Sequence, residues 1–193
     1  MRSAMIAVGV CLVASLSFAQ DIASSVDAEG LAEKKRTGLG LYLTPADAAA
    51  ALDADPSIVF VDVRDPIEIN FIGHPEPVDA IVPYETASLD FDAAASGYGM
   101  VPNPDFVRQI EALVARLGRG PDDALFIICR SGGRSAEAVD VLADAGFTNA
   151  WNLVEGFEGD KDDAGARAVN GWRNAGLPWT YKIRADAAWP PVE

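Results

Sequence analysis

Apolar residues along the chain occur in two patterns, unbroken runs and helical repeats. Residues 57–63 and 124–128 are short, mainly apolar runs without alternation, which is typical of strands buried on both faces. A helical repeat follows residue 104 and consists of Phe106, Ile110, Leu113, Val114 and Leu117. Residues 44–52 and 135–145 are further predicted helices, since the first opens on Thr-Pro and the second ends at a glycine. Short strands that alternate with helices predict one α/β domain with a mainly parallel sheet.

The first residues have the layout of a secretory signal peptide. Arg2 supplies a positive charge, residues 4–18 are apolar or small, and Ser17 and Ala19 place small side chains before Gln20. We therefore expect cleavage after Ala19 and export, with a bacterial periplasm as the predicted location.

Two alternatives apply to this N-terminal run. A membrane anchor is one, but a run of this length is short for a membrane span. Lipoprotein processing at Cys11 is the other, and the bulky Val10 before it disfavours that cleavage. After cleavage at the signal site we expect no membrane attachment.

The chain is predicted to contain four segments. Residues 1–19 form the signal peptide, 20–43 a flexible lead-in of small, charged and glycine residues, 44–182 the domain, and 183–193 a tail. Within the domain, prolines and glycines over residues 86–103 predict a long surface excursion.

Composition and charge exclude several function classes. Half of the 193 residues are hydrophobic, enough to bury a core, and the net charge of −14 repels nucleic-acid phosphates. No basic run is longer than residues 34–36. Cys129 would be the single cysteine of the exported chain, so a disulfide scaffold is excluded. An unpaired thiol in an oxidising compartment is either buried and inert or present for its reactivity.

The surroundings of Cys129 favour reactivity. It begins the loop 129–135, Cys-Arg-Ser-Gly-Gly-Arg-Ser, which joins a buried strand to a helix. Open parallel sheets bind ligands at this end of their strands. Gly132 and Gly133 allow backbone N–H groups to converge, and the helix start adds its positive dipole end.

Two arginines in the same loop strengthen this interpretation. Arg130 and Arg134 add permanent positive charges, which favour the reactive thiolate of Cys129 over the thiol. The alternative, a structural cysteine beside a tight glycine turn, does not explain why two cations flank it.

The loop resembles the active-site loop of the rhodanese (sulfurtransferase) family. Four other segments resemble this family. Residues 60–66 resemble its D-V-R segment, and residues 73–74 resemble its G-H pair. Residues 146–156 resemble its helix exit with the next strand and turn, and residues 171–178 resemble its G-W-x-x-A-G-L-P ending. Together the resemblance covers residues 43–179.

This resemblance implies a rhodanese-like α/β fold, with a mainly parallel central sheet flanked by helices on both faces. It also implies a thiosulfate sulfurtransferase in which Cys129 accepts a sulfane sulfur from thiosulfate or a persulfide donor and passes it to a thiol or cyanide. The implied substrate-binding residues are the rest of the loop, Arg130, Ser131, Gly132, Gly133, Arg134 and Ser135. Asp62 and Arg64 would support the loop, with Asp62 pairing with a loop arginine, although a solvated strand end is the alternative for this segment.

The sequence departs from the family pattern next to the predicted cleft. Residues 75–80 lack the usual I-x-G-A continuation, and the excursion over 86–103 is longer than a minimal domain needs, so substrate choice is open. His74 is assigned no catalytic role. The acidic residues over 155–163 lack the alternation of a calcium loop and predict a solvated face. We predict no metal site and no cofactor.

Two other functions stay open. A phosphatase or arsenate reductase of related fold is less favoured, because four residues separate Cys129 from Arg134 where those enzymes have five. The other is a persulfide carrier or docking module that hands sulfur to a periplasmic protein acceptor.

Overall fold

A computed structural model describes residues 22–191. The predicted signal peptide and Cys11 lie outside these residues, so export stays a prediction. The described strands are β1 (Tyr42–Leu43), β2 (Val59–Asp62), β3 (His74–Pro75), β4 (Ala80–Ile81), β5 (Glu85–Asp92), β6 (Gly97–Pro102), β7 (Leu125–Ile128), β8 (Ala150–Leu153) and β9 (Trp179–Thr180). The α-helices are α1 (Pro45–Ala54), α2 (Pro66–Ile72), α3 (Phe106–Arg116) and α4 (Gly133–Asp144).

Five of the strands form one parallel sheet. Their order is β1-β8-β7-β2-β4, and every neighbouring pair is parallel. All residues of β2, β7 and β8 are buried, as expected for short apolar runs in the middle of a covered sheet. The predicted α/β fold with a mainly parallel sheet is confirmed.

Helices and turns cover both faces of the sheet. On one face, α3 and α4 bury Ile110 and Leu142 against Val61 and Ile127. On the other, Ala48 of α1 and Trp172 belong to a cluster with the intervening sheet residues, Phe60, Phe126 and Ile128. This alternation of sides along β2 and β7 follows from the period of two of a β-strand.

Part of the segment before the predicted domain is packed against it. Tyr42 and Leu43, at the end of the predicted lead-in, form the edge strand β1, and each is 2% exposed. Lys35 is buried as well. Because Tyr42 and Leu43 complete the sheet, the domain begins before the predicted boundary at residue 44, and the flexibility of the lead-in stays a prediction. The predicted tail also contacts the domain, since the Ile81 N–H donates to the carbonyl of Ala187.

The predicted excursion over residues 86–103 is largely regular. Strands β5 and β6 form an antiparallel hairpin that begins one residue earlier, at Glu85. The Ala87 N–H donates to the side chain of Asp65 at 2.7 Å, which ties the hairpin to the start of α2. The hairpin side chains Leu89, Phe91 and Tyr98 are exposed.

Parallel register brings the two motif segments together. Asp62, the last residue of β2, lies opposite Ile128, the last residue of β7. The Asp-Val-Arg segment and the cysteine loop consequently leave the sheet side by side. No helix within residues 22–191 is long and apolar enough to cross a membrane.

Candidate active site

Cys129 lies directly after β7, at the carboxyl edge of the sheet. It is 1% exposed, and it lines a cavity of about 370 Å³ together with loop residues 130, 131, 133 and 134. Other parts of the chain contribute the remaining wall, which consists of Lys34, Glu68, Glu85, Met100 and Arg167. The thiol thus lies at a cavity built from five separate segments, if the β5–β6 hairpin is counted as one.

The loop conformation depends on Gly132. This residue is the N-cap of α4 and has φ +90°, in the left-handed region that favours glycine. A Cβ at this position would overlap the carbonyl of Val154, just after β8. The helix begins at Gly133, two residues before the predicted start at Ser135, because the chain turns into helix immediately after this left-handed residue.

The loop presents backbone donors around the sulfur. The Gly132 N–H donates to Sγ of Cys129 at 3.2 Å. The N–H groups of Ser131, Gly133, Arg134 and Ser135 donate no hydrogen bond to any residue in the range 22–191. Unpaired amides at a helix N-terminus bind anions, so this arrangement suits a negatively charged sulfur or oxyanion.

Asn152 of β8 connects the loop to the rest of the fold. Its Nδ2 donates to the carbonyls of Lys35 and Gly132 at 2.9 and 3.1 Å, which leaves Oδ1 to accept from Ser135 Oγ at 2.6 Å. The Ser135 oxygen also lies 3.2 Å from Sγ of Cys129. Asn152 is fully buried. Its role could not be predicted from the sequence, where it appears only as one residue of a predicted strand.

Arg134 is held by two carboxylates. Its NH1 and NH2 donate to Glu68 of α2 at 2.6 and 2.8 Å, and its Nε lies 3.8 Å from Glu85. Burial acts to raise the pKa of Glu68, but the hydrogen bonds and charge of Arg134 outweigh it and hold this pKa below its usual value. Burial opposes the charge of Arg134, yet Glu68 raises the pKa of Arg134 above its ordinary value.

Arg130 is also paired. Its Nε donates to Glu158 at 2.6 Å, and Arg173 lies 3.5 Å from the same carboxylate. Glu158 was expected on a solvated acidic face, but its side chain is only 9% exposed, because it is packed against these two arginines and pairs with both.

Residues 22–191 contain no group of three or more histidine, cysteine or acidic side chains placed to hold a metal ion.

The expected pairing of Asp62 with a loop arginine is wrong. Asp62 instead pairs with Arg64, whose Nε and NH2 donate to the carboxylate at distances of 2.6 to 3.1 Å. Both side chains are completely buried, so the alternative of a solvated strand end is wrong as well. Arg64 lies over the ring of Phe157 and also donates to the carbonyl of Gly73. The pair supports the chain beside the loop and does not line the cavity.

His74 contacts backbone carbonyls and not the cavity. Its ring nitrogens lie 2.8 Å from the carbonyl of Pro75 and 3.3 Å from that of Lys182. Lys34 and Arg167 line the cavity although no sequence signal marked them. Glu68 was not singled out either, although its place three residues after Asp65, where it completes a capping box, is a pattern that could have drawn attention to it.

A family model for the rhodanese-like domain matches residues 44–163. The chain belongs to the rhodanese-like domain family. It is 34% identical over 120 residues to thiosulfate sulfurtransferase 16, chloroplastic, of Arabidopsis thaliana, a match that spans 62% of this chain and 77% of that protein. The crystal structure of Rv0390 from M. tuberculosis superposes with a TM-score of 0.58 and 33% identity over 73% of this rhodanese-like chain and 97% of that one.

Shorter matches connect the chain to bacterial proteins. It is 40% identical over 60 residues to the uncharacterized protein RP600 of Rickettsia prowazekii, which covers 31% of this chain and 44% of that protein. The chain therefore spans less than half the length of this relative.

Proposed function

We propose that this rhodanese-like protein is a sulfurtransferase that carries a sulfane sulfur on Cys129. The observation that carries the proposal is the position of Sγ at the base of a cavity, beneath loop amides that have no acceptor among residues 22–191. Such donors stabilise the thiolate that attacks and the terminal sulfur anion of the persulfide that results.

The proposed cycle has two displacements. The Cys129 thiolate attacks the outer sulfur of thiosulfate, so that a new S–S bond to Sγ forms while the donor S–S bond breaks and sulfite leaves with the electron pair. Cyanide or a thiolate then attacks the outer persulfide sulfur. The bond to Sγ breaks, and its electron pair returns to the Cys129 thiolate. Covalent storage of sulfur predicts ping-pong kinetics.

A phosphatase reaction is less well supported by this site. Phosphatases of related fold direct the loop arginine at the bound oxyanion, whereas both terminal nitrogens of Arg134 donate to Glu68. The shorter loop also suits one sulfur atom better than a tetrahedral phosphate.

Mass spectrometry with thiosulfate tests the proposal. Incubation should add one sulfur atom to the peptide that contains Cys129, and cyanide should remove it as thiocyanate. Cys129→Ser should show neither event, since a serine hydroxyl cannot store a sulfane sulfur. Circular dichroism of this variant checks that the fold is intact. Sulfur transfer retained by Cys129→Ser would overturn the proposal.

A persulfide carrier is the second candidate function. The β5–β6 hairpin favours it, because Glu85 and Met100 of this hairpin line the cavity while Phe91 and Tyr98 expose an apolar surface beyond them. A protein acceptor that presents a thiol would contact this surface while it takes the sulfur. Loading by thiosulfate without removal by cyanide or small thiols would favour the carrier over the enzyme.

A further inference from the structure

Four cationic side chains line the cavity beside Cys129, and they differ in what they contact. Arg130 and Arg134 are each paired with carboxylates. Lys34 and Arg167 make no ion pair with any carboxylate of residues 22–191. We propose that Arg167 and Lys34 form the binding site for the oxyanion part of the sulfur donor. This inference rests on the proposed function and assigns its substrate-binding residues.

Both loop arginines already contact a carboxylate, and Arg134 has little free hydrogen-bonding capacity for a sulfur donor. Both terminal nitrogens of Arg134 donate to one carboxylate, Glu68, and Nε faces Glu85. Arg130 directs Nε at Glu158 over 2.6 Å, and its terminal nitrogens make no hydrogen bond within residues 22–191, so it is the charge of Arg130 and not all of its donors that Glu158 occupies. A guanidinium that already holds a carboxylate must give up that charge-assisted bond to bind an oxyanion in the same way. Their carboxylate partners also neutralise much of the positive charge that they bring to the cavity.

Arg167 has the opposite arrangement. Its NH1 donates to the carbonyl of Gly159 at 2.6 Å, which fixes the direction of the side chain. Its Nε is buried and has no acceptor in the described part of the chain, and NH2 is neither buried nor hydrogen-bonded there. A guanidinium keeps its charge in proteins, so Arg167 supplies a full positive charge that no adjacent carboxylate neutralises.

The charges around Arg167 favour the binding of an anion. Burial is the main cause that lowers the pKa of Arg167, and the nearby Arg130 lowers it further. Glu158 and Asp160 act to raise the pKa of Arg167, but each is bonded to another cation. Glu158 contacts Arg130, and Asp160 contacts Lys35. An oxyanion in the cavity would relieve the repulsion between the two arginines.

The segment that carries Lys34 is fixed by the neighbouring residue Lys35. Lys35 donates to both oxygens of Asp160 at 2.8 Å, and its carbonyl accepts from Asn152, so the short helix Glu33–Lys35 is fixed against the loop. Lys34 itself is exposed and lines the cavity. A lysine ammonium binds an anion as a compact point charge, which complements the directional guanidinium of Arg167.

Both residues lie outside the segment that matches the family model, which covers residues 44–163. Lys34 precedes that segment and Arg167 follows it. Selection for a donor with an anionic leaving part, such as the sulfite part of thiosulfate, would therefore come from two residues that the family model does not cover.

Alkylation of Cys129 by two reagents tests the inference without sulfur transfer. Iodoacetate is an anion and iodoacetamide is its neutral analogue, so the ratio of their rates measures attraction of an anion into the cavity. Arg167→Gln should lower the iodoacetate-to-iodoacetamide ratio by about threefold to tenfold, and Lys34→Gln should lower it by about twofold to fivefold. Lys161→Gln is the matched control, because it removes one charge from the same loop as Arg167 at a residue that does not line the cavity.

Kinetics with thiosulfate provides the second measurement. Arg167→Gln should raise KM about threefold to tenfold and change kcat less than about twofold, as expected when ground-state binding is lost. An alkylation ratio in Arg167→Gln equal to that of Lys161→Gln would overturn the inference. If the ratio falls as expected but wild-type Cys129 takes no sulfur from thiosulfate, the anion site stands and the proposed function fails.

Discussion

The hydroxyl of Ser135 donates to Oδ1 of Asn152 at 2.6 Å, while its oxygen lies 3.2 Å from Sγ of Cys129. The amide of Asn152 can take only one orientation here, because its Nδ2 faces two carbonyls. A hydroxyl has one proton, so Ser135 cannot donate to Asn152 and to the sulfur at the same time. The Gly132 N–H, 3.2 Å from Sγ, is then the donor that contacts the sulfur directly.

Removal of the Ser135 hydroxyl should therefore have little effect on thiolate reactivity. We expect Ser135→Ala to alkylate with iodoacetamide at pH 7 within about threefold of the wild-type rate, because the lost group donates elsewhere. The free energy of unfolding of Ser135→Ala should be about 1–3 kcal/mol lower than that of the wild type, since Oδ1 of Asn152 is left without its donor. A rate more than about tenfold slower would mean that the hydroxyl does stabilise the thiolate.

Much of the fold could be predicted because it depends on local patterns. Apolar runs such as 124–128 predict the central strands of a sheet that helices cover on both faces. The strand before Cys129 and the helix after it were enough to place the thiol at the edge of that sheet. The hairpin was missed, although Leu89 and Phe91 alternate with polar residues and Gly97 follows the turn, because the prolines and glycines around it favour loop.

The partners of the charged residues could not be predicted in the same way. Arg134 meets Glu68 and Glu85, and Arg130 meets Glu158, all from distant parts of the sequence. An acidic chain offers many carboxylates to each arginine, and only the packed fold selects among them. Asp62 instead contacts Arg64, two positions away, and both side chains are completely buried, where either charge alone would be costly.

Substitution of Gly132 should be far more costly than substitution of Gly146, at the other end of α4. Both glycines have left-handed φ angles, +90° and +98°, so alanine carries a similar backbone cost of about 1–2 kcal/mol at each. A Cβ at Gly132 would also overlap Val154, whereas at Gly146 it would meet nothing within 4 Å. Thermal or urea unfolding should show the larger loss for Gly132→Ala, together with slower sulfur loading. Equal losses would contradict close packing of the loop against the end of β8.

Removal of one member of the buried pair of Asp62 and Arg64 should strongly destabilise the fold. Arg64→Met leaves the buried Asp62 carboxylate without its counter-charge, and we expect a loss of about 3–5 kcal/mol in urea unfolding. Arg108→Met is the control, because Arg108 pairs with Asp105 on the surface, where such pairs contribute about 0–1 kcal/mol. The double variant Asp62→Asn, Arg64→Met should recover part of the loss. No recovery would assign the cost to packing of Arg64 on Phe157 instead.

Acid should weaken the fold through Glu68. Because Arg134 holds the pKa of Glu68 below its usual value in the folded protein, the stabilisation is present above the unfolded-state pKa and is lost as the pH falls through the folded-state pKa. Glu85 acts in the opposite sense, because burial raises its pKa and its contribution declines as the pH rises. The two effects can be separated only by comparing variants.

Glu68→Gln isolates this contribution. The difference in unfolding free energy between wild type and Glu68→Gln should be about 1.5–3 kcal/mol at pH 7, the range for a hydrogen bond to a charged group. It should shrink as the pH falls from about 5 toward 3, because the wild-type carboxyl then takes up its proton. Glu111→Gln, which removes an exposed carboxylate on α3, is the matched control and should show a small difference at every pH. A Glu68→Gln difference that stayed constant across this range would mean that Glu68 stabilises the loop by its shape and neutral hydrogen bonds, and not by its charge beside Arg134.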